Sequence, residues 1–560
     1  MLRVSNFFLF LAPVITFFYL ILRIFFGLDF TDEMQYYGEI QGLISSNSLF
    51  TNDYFIQQTG YILIHPFLKI IFSFEPQFAK LIFYNRVFLF FLIILFSSSL
   101  IFFASTYKLS YRIFSSCLLA ISITDFLPFA FSYNTISYLL ITLILSYWLF
   151  YNKEKKLFTI AVLILFLGWA YPPQGFLFSI IIFINYYLVK PEISLRFIIY
   201  LFILSLIFLI FLSLLNYFNI DTFINALRFT SIFGLSFKLF IYTSIAVFLF
   251  LIFGILYISI FYYEPKFFIF LKKNYNLYFY LVSFILLIVG FILILLGIFF
   301  LYSIIFWFAA ISLMTAAATI KDKNKKYILI KILISAILIS IFYSLSSGNG
   351  FFAVYKGFFI LFGFLYLVTS SVIEEEKDKK KELYFSLFGI IIFFGLLINI
   401  LSHPYRDKNI FNTLHKIPGI YAYENIYISK TKFLAIQEIR KNISISENKK
   451  LLVLGPHPWI YFALNARPET PHFFNHFSGL NEEKSQKLKK FIQNKINLIS
   501  PDYIIDAMPQ TFPYKENLSY NLEGYACKVF IINKELNILL EKETNFPLPP
   551  KMKFCEKSYS

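Results

Sequence analysis

The stretch from Asn274 to Ile320 reads NYNLYFYLVSFILLIVGFILILLGIFFLYSIIFWFAAISLMTAAATI, 47 positions without one Asp, Glu, Lys or Arg. A globular protein in water keeps about a quarter of its residues charged. A run this long without charge suits only lipid, or a protein core surrounded by lipid. The rest of the 560-residue chain agrees, with 59% hydrophobic residues, 14% charged residues and a mean hydropathy of +0.70. A water-soluble globular protein is excluded, and a polytopic α-helical membrane protein is expected. The 77 phenylalanines and 40 tyrosines stand beside abundant Ile, Lys and Asn, as an AT-rich genome would give.

Working outward from that stretch, apolar runs predict helices near 5–28, 85–105, 113–131, 136–151, 157–171, 175–189, 195–215, 237–262, 277–297, 298–320, 327–345, 351–372 and 384–401, thirteen in all. The formal charge of +17 is then a matter of topology rather than of a nucleic-acid partner, because most Lys and Arg of the first 400 residues fall in short loops. With a cytoplasmic amino terminus, the inside segments carry 19 cations, among them Lys108, Arg112, Lys153, Lys325 and Lys380. The outside segments carry Lys69, Lys80 and Arg228, or seven cations when the helix-end residues Arg23, Arg86, Lys238 and Lys356 are included. Cytoplasmic loops are enriched in Lys and Arg, so the whole assignment is self-consistent. The same rule makes Tyr171-Pro172-Pro173-Gln174-Gly175 an outer turn between two short helices, since a single long helix would move every later Lys-rich loop outside.

Thirteen crossings place 402–560 opposite the Lys-rich loops, as a second domain after the transmembrane domain 1–401. Here Gly, Pro, Asn, Glu and Lys become common, and Leu451 to Gly455 reads as a buried strand opening into a turn. A short helix over 459–465, an amphipathic one over 481–494, a strand over 502–506 and a hairpin over 528–540 complete an α/β domain. Cys527 and Cys555 can pair there if the compartment is oxidising, or stay free; Cys117 lies in a helix.

Carboxylates at a membrane edge are few, so their densest cluster is the natural place to look for a site. It opens the first outer loop, 29–84, as Asp29-Phe30-Thr31-Asp32-Glu33-Met34-Gln35-Tyr36-Tyr37-Gly38-Glu39. Asp32, Tyr36 and Glu39 fall on one face if this is a helix lying along the outer surface, with Thr31 or Asp32 as its cap. The same acids also suit a solvated loop or a helix amino terminus.

The Asp-Glu pair directly after helix one, with a tyrosine three positions on, is followed by Gln57-Gln58-Thr59-Gly60-Tyr61, by His65-Pro66 and by Asn85-Arg86 at helix two. Together they resemble the GT-C superfamily of membrane glycosyltransferases, and the first 90 residues are most similar to protein O-mannosyltransferases and lipid A aminoarabinose transferases. The segments Leu454 to Phe462 and Ala466 to Thr470 are similar to outer-domain segments of bacterial members. The resemblance implies an enzyme of the bacterial cytoplasmic (inner) membrane. It would move a sugar from a polyprenyl-phosphate donor to a lipid, glycan or protein acceptor outside the cytoplasm, with membrane lipids as its surroundings. It also implies Asp32 as catalytic base and Glu33 as its companion. A base facing the leaving phosphate across the sugar gives inversion in one displacement.

The leaving phosphate needs cations at the outer edge, for which Arg86, Arg228 and Lys356 are best placed; each also fits a snorkelling helix end. Asn349, in Ser347-Gly348-Asn349-Gly350, resembles small loops facing the site in bacterial relatives, and also fits an ordinary turn. Relatives often carry an Asp between helices three and four, where this chain has Asn134, with Asp125 one to two turns earlier. That substitution weakens a metal bridge between loops, so no cofactor is assigned and a divalent cation is left open. His472 and His476 have the spacing for zinc but no third ligand. A transporter or flippase would show ionisable groups at helix centres, and a polysaccharide polymerase or ligase a large late loop; this chain gathers its acids in the first loop instead.

Overall fold

The computed structural model describes residues 2–49, 56–74, 78–124, 129–151, 156–187, 191–232, scattered positions between 322 and 339, then 362–375, 379–402, 410–445, 449–455, 457–468, 482–507, 522–544 and 548–558. The first part is mostly helical: α1 (Leu2–Phe25), α2 (Asp32–Ser46), α3 (His65–Phe74), α4 (Leu81–Phe103), α5 (Leu109–Thr124), α6 (Tyr133–Phe150), α7 (Lys156–Ala170), α8 (Pro172–Tyr187), α9 (Pro191–Leu214), α10 (Ile220–Ile232), α11 (Phe362–Glu375) and α12 (Lys379–Ser402). A 3-10 segment, Ile56–Leu63, precedes α3. Among the described residues, Leu81–Phe103, Tyr133–Phe150 and Glu192–Leu214 are long and apolar enough to cross a membrane. On α9, Phe202 and Leu214 are 69% and 76% exposed on a helix that is apolar all round, a surface suited to acyl chains rather than water. The helices expected at 237–262, 277–297 and 298–320 lie outside the described residues, as do parts of those expected at 327–345 and 351–372.

Helix α5 is almost wholly buried and packs against α1, α4, α6, α11 and α12. Backbones meet closely there, since a Cβ on Gly363 would sit 2.6 Å from the Ser115 carbonyl oxygen. Between α7 and α8 the chain turns at Tyr171, and Pro172 takes the first helical position, where its missing N–H leaves no bond unmade. The two helices lie side by side, with Gly175 against the backbone of Gly168.

The two ends of the bundle carry different contacts. At one end Lys108 pairs with Glu374 at 3.2 Å, Lys325 with Glu375, and the Tyr111 hydroxyl donates to Glu382 at 3.1 Å. The other end carries the acidic loop after α1, the Ile56–Leu63 segment and the Tyr171 turn. Thr59 donates to the Trp169 carbonyl there, and a Cβ on Gly60 would meet the Ala170 backbone at 3.3 Å.

The C-terminal part is a mixed α/β domain. A two-stranded sheet joins β1 (His415–Lys416) and β2 (Tyr427–Ile428), followed by α13 (Lys430–Asn442). The main sheet has the order β4-β3-β5-β7-β6, built from β3 (Lys450–Leu454), β4 (Arg467–Pro468), β5 (Tyr503–Asp506), β6 (Tyr525–Ile531) and β7 (Lys551–Lys557). β3 runs parallel to β4 and β5, whereas β7 is antiparallel to β5 and β6. Helices α14 (Trp459–Ala463), α15 (Glu482–Ile499) and α16 (Lys534–Thr544) complete it. The hairpin expected over 528–540 is corrected: β6 is followed by α16, and its partner is the later β7. Asn533 decides this by accepting from the amides of Glu535 and Leu536, which caps a helix whose Leu536 and Leu540 are buried at i, i+4. Cys527 and Cys555 are directly opposite on β6 and β7 and form a disulfide, the choice the sequence left open.

This domain seats on the loop after α1. Phe30 stacks on Trp459 with centroids 4.6 Å apart, and Phe26 stacks on Tyr427 at 5.2 Å. The Gly27 amide donates to the Tyr427 carbonyl at 3.0 Å, buried Lys432 donates to the Leu28 carbonyl, and the Tyr423 hydroxyl reaches the Met34 sulfur at 3.4 Å. One continuous apolar cluster therefore runs from the bundle into the domain.

Candidate active site

The acidic segment folds as the spacing predicts, with α2 starting at Asp32, but its cap is Asp29. One Asp29 oxygen accepts from the Thr31 amide at 3.1 Å and the other from the Glu33 amide at 3.2 Å. Thr31 occupies the cap position without making a side-chain cap bond. Sequence reasoning missed this because the capping carboxylate sits two residues before the usual cap position.

Glu33 and Arg86 have a task other than the one expected of them. The Glu33 carboxylate accepts from Arg86 Nε at 2.9 Å, from an Arg86 terminal nitrogen at 2.6 Å, from the Tyr37 hydroxyl at 2.7 Å and from the Asp29 amide at 2.9 Å. The remaining Arg86 donors reach the carbonyls of Arg23, Ile24 and Gly27 at 3.3, 3.2 and 2.6 Å. A guanidinium has five N–H groups, and all five are thus engaged. Arg86 closes the carboxyl end of α1, where carbonyls lack helical partners, and Glu33 neutralises it. The two bind α1, α2 and α4 together with both side chains at most 2% exposed. No Arg86 donor is left for a phosphate. The reason lies in α4, which starts at Leu81 rather than near 85 and so places Arg86 more than a turn inside the helix.

Asp32, by contrast, is the one acid among Asp29, Asp32 and Glu33 that is not buried. It lies within electrostatic reach of Tyr133, which hydrogen-bonds to Tyr36 and Asn134. Tyr36 meets Tyr133 edge-on at 6.0 Å, and Tyr133 meets Tyr171 at 5.2 Å. Asn134 owes its place to Ser132 and Thr135, whose reciprocal bonds form a capping box at the start of α6. The structure thus gathers Asp32, Tyr36 and Asn134 of the expected residues, and adds Tyr133 and Tyr171. Two tyrosines among 40 carry no signal in the sequence.

Glu39 follows on the same face of α2, buried, with Gln35 donating to it at 3.0 Å and the Tyr61 hydroxyl beside it. Burial holds its carboxyl well above the usual carboxylate range. A raised folded value means that stability is greatest below the unfolded value and falls as pH rises through the folded one. Glu39→Gln is accordingly expected to raise the melting temperature at pH 7 and to match the wild type at pH 4. A slope of up to about 1.4 kcal/mol per pH unit would be removed in between. Thermal unfolding across that range checks this, and identical profiles would contradict it.

Of the remaining expected residues, His65 alone has a described side chain. Arg228 belongs to α10, and only its backbone is described. Asn349, Lys356, Asp125, His472 and His476 lie outside the described residues. His65 packs at the edge of the loop, its Nδ1 2.7 Å from the Tyr217 hydroxyl, and burial brings its pKa down to about 4, so it is neutral at pH 7. Among the described residues no three His, Cys, Asp or Glu side chains converge to hold a metal ion.

What this arrangement offers chemically is a partly open carboxylate at a helix amino terminus. Tyrosine rings and an amide line it, and the Glu33–Arg86 pair holds its helix in place. A search of protein-family models and of curated proteins finds no match to this chain.

Proposed function

We propose that the protein is a glycosyltransferase of the cytoplasmic membrane that moves a sugar from a polyprenyl-phosphate carrier to an acceptor outside the cytoplasm. Its fold would be GT-C-like, with about thirteen membrane helices and an extracytoplasmic C-terminal domain. The acceptor oxygen or nitrogen attacks the anomeric carbon while Asp32 takes its proton. The bond from that carbon to the phosphate oxygen breaks, and the phosphate leaves with the electron pair. One displacement of this kind inverts the anomeric centre.

The observation that carries this reading is the division of labour in Asp29-Phe30-Thr31-Asp32-Glu33. Two acids are spent on capping and on Arg86, and the third stays partly open beside Tyr133 and Asn134. Two further features support it. The acidic loop and the C-terminal domain meet at the end of the bundle away from the Lys108, Lys325 and Glu382 contacts, as an odd number of crossings requires. The disulfide is of a kind that persists in oxidising compartments.

The test is to incubate the purified full-length protein with a panel of polyprenyl-phosphate hexoses and pentoses and to follow thermal unfolding. Ligand at a hundred times its dissociation constant stabilises by about 2.7 kcal/mol, so one member should raise the melting temperature clearly above the others. No shift with any carrier-linked sugar would contradict the reading.

A further inference from the structure

We infer that Arg23 and Asn85 form a binding site for a phosphate ester carried on an apolar tail, an inference that rests on the proposed membrane location and deepens the proposed activity. Arg23, in the last turn of α1, is 5% exposed, and Asn85 on α4 is 1% exposed. Among the described residues the Arg23 guanidinium makes no hydrogen bond or ion pair, and its Nε is buried without an acceptor. The Asn85 Nδ2 is in the same condition. Buried charges are ordinarily paired, because an ion removed from water without compensation is strongly disfavoured. Neighbouring Arg86 obeys this rule through Glu33, whereas Arg23 has no such partner among the described residues.

The two donors border one short segment. The Arg23 guanidinium carbon lies over the Phe129 ring, 5.7 Å from its centroid, a contact that leaves the Nε–H without an acceptor among the described residues. The Phe131 amide donates to Asn85 Oδ1 at 2.9 Å, fixing that amide so that its NH2 is the end without a partner. Tyr133, which borders Asp32, is four residues beyond Phe129, a span of at most about 14 Å. A phosphate at Arg23 and the base at Asp32 would therefore flank the two ends of one segment, with the sugar between them. The route for the tail is α1 itself, where Phe10, Val14, Phe18 and Leu22 are exposed at intervals of four, the last directly before Arg23. A planar guanidinium and an amide NH2 are suited to phosphate oxygens.

The experiment measures thermal unfolding of the full-length protein in detergent, alone and with polyprenyl phosphate, polyprenol, phosphatidic acid or inorganic phosphate. Polyprenyl phosphate should stabilise the wild type while polyprenol and inorganic phosphate do not. Arg23→Met removes an unpaired buried charge, and Asn85→Asp supplies one of opposite sign while keeping an acceptor for the Phe131 amide. Both should melt above the wild type without lipid and bind polyprenyl phosphate at least tenfold more weakly. If phosphatidic acid stabilises equally well, with the same dependence on Arg23, the site stands and the carrier-linked donor reading fails. Undiminished binding by Arg23→Met, or stabilisation by inorganic phosphate alone, would overturn the site. So would an Arg23→Met protein that melts below the wild type or does not fold, because the guanidinium would then have its partner within the chain.

Discussion

Glu33→Ala is expected to destabilise the folded protein by about 3–5 kcal/mol, the range found when one partner of a buried ion pair is removed. The substitution strips Arg86 of two of its five contacts and leaves its charge buried, while the Tyr37 hydroxyl and the Asp29 amide lose their acceptor. Removing both charges, as Glu33→Ala with Arg86→Met, should recover only part of the loss. The uncompensated cation disappears, but the carbonyls of Arg23, Ile24 and Gly27 are still left without their donor. Thermal and denaturant unfolding of the single and double variants in detergent measures both effects. A Glu33→Ala protein as stable as the wild type would show that the pair does not hold α1, α2 and α4 together.

What the sequence made legible follows from the range of the forces involved. Apolar runs announce their own helices, so α1, α4 to α9 and α12 fall close to the expected spans. The strands over 451–454 and 503–506 are visible for the same reason, being short and uniformly apolar. Asp32, Tyr36 and Glu39 share a face because helical spacing is local.

Partnerships across the fold are not local, and there the reading fell short. Nothing in Asn85-Arg86 reveals that Arg86 faces Glu33 and the end of α1. Nothing in Phe30 foretells Trp459, 429 positions later in the chain. The apolar residues of α16 suit a strand as well as a helix, and only the Asn533 cap, a feature of the folded backbone, decides between them. In the sequence Arg23 reads only as a helix-end cation, since whether it has a partner is a property of three-dimensional surroundings.

The second large effect is expected at Asp32, and it contrasts with the first. Asp32→Asn keeps size and shape, but an amide cannot take a proton at neutral pH, so a step that uses Asp32 as base should slow by about 10²–10⁴-fold. Asp32 is not buried and shares in none of the Glu33–Arg86 bonds, so the folded state should change by no more than about 0.5 kcal/mol. If the donor phosphate is held at Arg23 and Asn85 as proposed, donor affinity should be largely unchanged. Loss of turnover without loss of stability or binding separates a base from a structural acid, a role Glu33 illustrates a single residue away.

The most direct measurement is thus the rate of sugar transfer from a polyprenyl-phosphate donor by wild-type and Asp32→Asn proteins of equal melting temperature. A fall of at least a hundredfold is predicted; transfer at the wild-type rate would contradict the assignment of Asp32 as the base.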